Sequence, residues 1–339
     1  MTISKRLLII TILFTSLQSQ ARNWKRVYIP DTYCGNGDQY SVFVEIKNPK
    51  KLAVEFMGGG ACWDRSSCKG PNLRTILFPI PRIPVLSAFS SDFNDFSPVK
   101  DYSAVYFPYC TGDVFAGDHV AKYRSSFFTQ KVHHKGYSNV TKTIEYLKKE
   151  VINFSKVDDF VLYGASAGAI GSLIHAHQFD KVLNLKAKRS MIADSPGLHF
   201  GKTFWNKFPP KLLMDFDQAF SNANFNIDFN DGLVAENVPA YCDYLSHWNI
   251  GVVQSSKDII MSSVFGNISP EEHKKLVFGK RGLLEMVKGI PNCSAFIPES
   301  KMHTFLLLVT SSLMEIKKTT VMDYAREVME GKNTTYAEL

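Results

Sequence analysis

The chain has 339 residues, of which 45% are hydrophobic, enough to build the large core of a globular domain. Its formal charge of +7 is a mild basic bias: it would suit an anionic substrate or surface, but it fits scattered solvated lysines equally well, and no nucleic-acid partner is expected. No segment beyond the N-terminus is long and apolar enough to span a bilayer, and no CxxC pair or paired Cys/His spacing reads as a metal site, so stable membrane insertion and a cysteine-based metal centre are both disfavoured.

In chain order, residues 1–21 read as a secretory signal peptide. Lys5 and Arg6 give the positive start, Leu7 to Leu17 the short apolar stretch, and Ser19-Gln20-Ala21 the small-residue cleavage site. Residues 22–339 are then expected to form one secreted domain. Strands are predicted at Ser41–Ile46, Leu52–Met57, Ser103–Phe107, Phe160–Tyr163, Ser190–Ala193, Ile250–Gln254 and Ser294–Ile297. Helices are predicted at Ser138–Val151, Ala167–Gln178, Pro270–Val287 and Val321–Met329, and Phe305 to Val309 reads as a core strand or a helix start. Strands alternating with helices predict an α/β fold with a mostly parallel sheet covered on both faces. Two long aromatic segments, Lys69 to Pro98 and Phe200 to Pro239, fit neither pattern and are expected to be lids or rims around a site.

All six cysteines, Cys34, Cys62, Cys68, Cys110, Cys242 and Cys293, follow the cleavage site. An even count in an exported chain suggests three disulfides, with 15 pairings open; Cys62 and Cys68 are close enough to pair locally. Sequons stand at Asn139, Asn153, Asn267, Asn292 and Asn333, and would carry glycans in a eukaryotic secretory route.

Chemistry concentrates at Gly164-Ala165-Ser166-Ala167-Gly168. This G-x-S-x-G run follows an apolar strand and precedes a helix, the context a nucleophile elbow requires. A serine hydroxyl is a poor nucleophile at neutral pH and needs a histidine base oriented by a carboxylate. In the chain order of such sites, acid and base follow the serine on loops after later strands. Asp258, just after the Ile250–Gln254 strand, and His303, just after Ser294–Ile297, fit that order. Asp194 also ends a strand and is the next candidate acid, although it comes only one strand after the elbow. His273 reads as a solvated residue of a charged helix start, His175 and His177 as packing residues of the elbow helix, and the earlier histidines break the order. Gly58-Gly59-Gly60 follows a strand and can turn backbone N–H groups into a pocket; Gly59, Gly60 and Ala167 are the expected oxyanion donors.

Together, the blocks Phe56–Cys68 (FMGGGACWDRSSC), Pro108–Asp113 (PYCTGD), Tyr163–Gly171 (YGASAGAIG), Ala193–Gly197 (ADSPG) and the region around His303 resemble the pectin acetylesterase family. The resemblance implies an α/β-hydrolase fold, a Ser166, Asp258, His303 triad, the oxyanion donors named above, a Cys62–Cys68 disulfide and a structural role for the Asp194 block. It also implies a secreted serine carboxylesterase, needing no cofactor, that removes a short acyl group such as acetyl from a polysaccharide such as pectin; a monomer is expected. A deacylase of lipidated protein, a lipase and a catalytically silent carbohydrate-binding protein are the alternatives.

Overall fold

The computed structural model describes residues 22–68, 87–91, 97–124 and 129–339. The expected signal peptide lies outside the described residues, as do residues 69–86 and 92–96 of the expected Lys69–Pro98 rim.

The described residues contain thirteen strands: β1 (Lys25–Tyr33), β2 (Gln39–Glu45), β3 (Lys51–Phe56), β4 (Ser103–Phe107), β5 (His119–Arg124), β6 (Thr129–His134), β7 (Asp159–Ala165), β8 (Lys188–Asp194), β9 (Asn249–Val253), β10 (Cys293–Ile297), β11 (Glu315–Ile316), β12 (Thr319–Thr320) and β13 (Tyr336–Ala337). Nine of them form one sheet in the order β1-β2-β4-β3-β7-β8-β9-β10-β13, and β5–β6 and β11–β12 are separate hairpins. Only β2 runs against its sheet neighbours; every other pairing from β4 to β13 is parallel. The central strands are buried on both faces, which is why they read as apolar runs rather than alternating ones.

Period-2 alternation divides the core. Phe160, Leu162, Met191 and Ala193 pack with one cluster, whereas Val161, Tyr163 and Ile192 pack with the other. Helices α1 (Gly136–Glu150) and α2 (Ala167–Asp180) cover the first face through Val140, Ile144, Leu147, Leu173, Ile174 and Phe179. The second face is covered by the C-terminal helix Val321–Glu330 through Val321, Tyr324, Ala325 and Val328. The fold is therefore the mostly parallel α/β sheet that the alternating elements predict, in the α/β-hydrolase-like form that the family resemblance implies. Disulfides join Cys34 to Cys110, Cys62 to Cys68 and Cys242 to Cys293.

The strand order positions the site. The chain steps outward from β3 to β4, returns to place β7 on the other side of β3, and then proceeds to β8. The β3–β7 junction is thus a topological switch point, and the crevice where ligands bind in such sheets opens at the C-terminal ends of those two strands. The Gly58–Gly60 run follows one, and Ser166 follows the other.

Several elements depart from the sequence reading. β1 is absent from it because Pro30 and the charges of Lys25, Arg26 and Asp31 interrupt the pattern, yet an edge strand tolerates proline, and Pro30 lies in the irregular stretch between Tyr28 and Tyr33 where the pairing with β2 shifts register. The wall segment holds helix α3 (Pro210–Asn222) and leads into α4 (Val238–Tyr244), both begun by a proline in the first turn. The predicted Pro270–Val287 helix is broken: α5 (Pro270–Val277) starts from a Ser269–Glu272 capping box and stops before Gly279 and Gly282, and Leu283–Met286 is a separate turn. The closing helix is α6 (Val321–Glu330). Phe305 and Leu306 lie in a buried loop, whereas Leu308 beyond them is 65% exposed. Asn139 is buried with its amide bonded to both the N–H and the carbonyl of Tyr33, so that sequon is closed to a glycan in the folded chain.

Candidate active site

Ser166 sits between β7 and α2 with φ 56° and ψ −123°. L-residues seldom adopt a positive φ, and the surroundings must hold it there at a cost of about 1–3 kcal/mol. The two glycines of the elbow make that possible: a Cβ on Gly164 would lie 2.0 Å from the Gly168 carbonyl oxygen, and one on Gly168 would lie 2.1 Å from that of Phe56. The Ser166 N–H donates to the Asp194 carbonyl at 2.8 Å.

Asp258 is fully buried after β9. Its Oδ1 accepts the N–H groups of Ile260 (3.0 Å) and Met261 (2.9 Å), and its Oδ2 meets His303 Nδ1 at 2.8 Å. The loops carrying the two residues are zipped together by backbone bonds: Ser256, Lys257 and Ile259 donate to the carbonyls of Pro298, Ser300 and Lys301. Since the buried carboxylate accepts from Nδ1, the neutral ring carries its free lone pair on Nε2. That nitrogen is buried and has no hydrogen-bond partner among the described residues, Ser166 included.

Asp194 does not contact the His303 ring by a hydrogen bond. Its Oδ2 accepts the N–H groups of Phe305 and Leu306, both at 2.8 Å, and its Oδ1 accepts the Ser195 hydroxyl, which in turn accepts the Thr304 N–H. Through its main-chain carbonyl it also holds Ser166. One residue therefore ties the elbow to the loop that carries His303. Ser166, Ser195 and Thr304 all have positive φ, so the strained backbone of this corner gathers around Asp194. Burial pushes the Asp194 carboxyl up to about 6, against the hydrogen bonds that favour its charge.

Gly59, Gly60 and Ala167 line one cavity with Ser166. The Gly60 carbonyl accepts the Tyr109 hydroxyl at 2.6 Å, and that hydroxyl accepts the Val114 N–H at 2.8 Å, which fixes the orientation of the glycine loop. Cys62, disulfide-bonded to Cys68, donates its N–H to Gly112. Among the described residues, the donor atoms of Cys62, Cys68 and His134 lie within 4.8 Å of one another, but both sulfurs are joined in the disulfide and offer no thiolate to a metal.

From Ser166 the cavity runs into the wall segment. Phe200, Phe204, Trp205 and Phe208 line it together with Phe216 and Phe220 of α3, Leu173 of α2 and Met261; among the described lining residues Ser166 supplies the one hydroxyl. The aromatic wall packs on itself, with Phe200 stacked on Phe204 at 3.8 Å and Phe208 edge-on to Phe216 at 5.2 Å. The sequence reading marks this segment as a wall without resolving the aromatics; the spacing of Phe200, Phe204 and Phe208, and of Leu212, Phe216 and Phe220, carries the signal.

His273 is corrected by the structure. It is fully buried, and its Nδ1 bonds the carbonyl of Ser256 beside the Asp258 loop. Its charged neighbours in sequence lie on the outer side of α5, so local composition misplaces it. His175 is buried between the Phe115 carbonyl and Gln178, a packing position.

An α/β-hydrolase sheet with a strained serine at its switch point and an Asp–His pair on the loops after later strands defines a class of fold and site. The sequence model of the pectinacetylesterase family matches residues 31–206, more than half the chain, and the chain belongs to that family. It is also 30% identical over 91 residues to the palmitoleoyl-protein carboxylesterase NOTUM of Schmidtea mediterranea, a stretch that is 27% of this chain and 16% of that protein.

Proposed function

We propose that the protein is a serine carboxylesterase that cleaves esters whose acyl chain is long and apolar. In this reading Ser166 Oγ attacks the ester carbonyl, its proton passes to His303 Nε2, and Asp258 holds the ring and stabilises the imidazolium that forms. Backbone N–H groups of Gly59, Gly60 and Ala167 receive the oxyanion; each such donor is worth about 3–4 kcal/mol where single donors have been removed elsewhere. The C–O bond to the alcohol breaks as His303 returns the proton to the departing oxygen. Water, deprotonated by His303, then attacks the acyl-enzyme, releasing the carboxylic acid and restoring Ser166.

The observation that carries the choice of acyl group is the cavity. An acetyl group needs only the space beside Ser166, whereas here an aromatic and aliphatic lining continues well beyond it. Each buried methylene is worth about 0.8 kcal/mol, close to fourfold in kcat/KM, for as long as the chain finds lining to meet. The name of the flatworm relative describes hydrolysis of a palmitoleoyl ester on protein, which supports the same reading. The short-acyl alternative rests on the family name and on the sequence blocks alone. Three disulfides support action in an oxidising, extracellular setting.

The test is hydrolysis of p-nitrophenyl esters of increasing chain length. The proposal expects kcat/KM to climb to eight carbons or beyond. A maximum at acetyl would return the short-acyl reading, and no turnover at any length would favour a silent binding protein.

A further inference from the structure

Residues 298–320 run from the end of β10 to the start of α6, along the edge of the sheet where the parallel strands end and where Ser166, Asp258 and His303 lie. Within this run Met302, Leu307, Val309 and Leu313 are each more than a third exposed and Leu308 is 65% exposed; Ile259, whose N–H donates to Lys301, adds a further exposed side chain. Large apolar side chains gathered in this way on the surface of a soluble protein mark a place where something binds.

The ridge is held in place from beneath. Phe305 and Leu306 are fully buried with their N–H groups on Asp194, the Ser311 hydroxyl donates to the Phe305 carbonyl, and the carbonyls of Leu306 and Leu307 accept the N–H groups of Phe89 and Ala88. The backbone is thus satisfied inward while the leucines point away from the core. Such a ridge does not collapse onto the protein when unoccupied.

The charges around it are mostly positive. Lys301, Lys317 and Lys318 are exposed and form no ion pair among the described residues. Glu299, the nearest acid on the β10 side, is neutralised by Lys257 and Lys274, both at 3.0 Å, and Glu315 is the single exposed acid between the ridge and the β11–β12 turn. Apolar side chains rimmed by lysines complement a layer of acyl chains beneath anionic head groups. A second copy of the chain fits less well, because a two-fold contact across the ridge would set lysines against lysines.

We propose that this ridge docks the protein on an anionic lipid surface, with the mouth of the apolar cavity turned to the membrane. The part of the inference that concerns substrate, that esters are taken directly from the lipid phase, rests on the esterase reading above; the docking itself does not.

The experiment is co-sedimentation of the full chain with vesicles of phosphatidylcholine alone or mixed with phosphatidylserine, alongside turnover of a soluble short-chain p-nitrophenyl ester. The chain is expected to sediment with the mixed vesicles and to be released by high salt. Leu308→Asp with Leu313→Asp should abolish sedimentation, and Lys317→Ala with Lys318→Ala should weaken it about fivefold per lysine. Both variants should keep wild-type melting and wild-type turnover of the soluble ester. No sedimentation, sedimentation that neither variant alters, or a wild-type dimer that the aspartate variant dissociates would each overturn the proposal. If vesicle binding fails while soluble turnover persists, only docking falls; if soluble turnover is absent while binding persists, the esterase reading falls and docking stands.

Discussion

The two halves of the site are built by different physics. The polar corner of Ser166, Asp194, Asp258 and His303 is fixed by hydrogen bonds to main chain: two buried carboxylates between them accept four backbone N–H groups, and the positive-φ residues Ser166, Ser195 and Thr304 gather around Asp194. The acyl wall from Phe200 to Phe220 is held by ring packing, and few polar contacts specify where each ring lies. A corner held by directional bonds tolerates almost no change in residue type, whereas a wall held by packing can be reshaped while the fold persists.

The largest effect should come from the corner. Ser166→Ala is expected to lower turnover by up to about 10⁶, by analogy with loss of a nucleophilic serine elsewhere, with no drop in melting temperature, because the hydroxyl makes no hydrogen bond among the described residues. Circular dichroism melting beside ester kinetics checks both halves of that statement.

The second prediction separates the corner's two carboxylates. Asp258→Asn should cost about 10⁴ in turnover while the variant still folds, since an amide in place of the carboxylate favours the wrong tautomer of His303. Asp194→Asn should act mainly on stability, by weakening the tie between the elbow and the 303–306 loop. A well-folded but inactive Asp194→Asn together with an active Asp258→Asn would exchange the two roles.

Changing the wall should have a smaller and more selective effect. Leu173→Trp fills the cavity from α2, and we expect kcat/KM for a long-chain ester to fall about tenfold to a hundredfold while that for the acetyl ester is unchanged. An equal loss on both esters would show that the wall and the corner are not separable.

The smallest effect is thermodynamic. Glu55 lies buried behind the 87–91 segment that braces the His303 loop, and burial raises its carboxyl to about 7 against hydrogen bonds from Ser90 and Ser87. The native state therefore keeps a proton that the unfolded chain releases near 4.5. Its contribution to stability is full below that lower value and is lost as pH rises through the higher one. Glu55→Gln should flatten this fall, worth on the order of a few kcal/mol, and the gain in melting temperature should appear above neutrality and not at pH 4–5.

The same contrast explains what could be read from the sequence. The elbow, the strands that frame it and the positions of Asp258 and His303 are local matters: an apolar run, a turn that only glycine permits, a residue just past a strand end. The structure brings Asp258 and His303 together as that order predicts. Much of the remainder depends on tertiary context. Nothing near Asp194 in the sequence indicates that its carboxylate will hold Phe305 and Leu306, more than a hundred residues away. His273 has charged neighbours in sequence yet is buried by the packing of α5, and β1 is a strand only because a sheet edge accepts Pro30. The cavity is the plainest case, because its walls come from α2, α3 and the segments between, and no short window contains them.

The central claim is most directly tested by labelling the purified protein with a long-chain alkyl fluorophosphonate and mapping the adduct by peptide mass spectrometry. The account predicts one modified site, on the peptide that contains Ser166, formed faster than with the ethyl analogue and slowed sharply in His303→Ala. An adduct on another residue, no adduct, or labelling indifferent to His303 would contradict it.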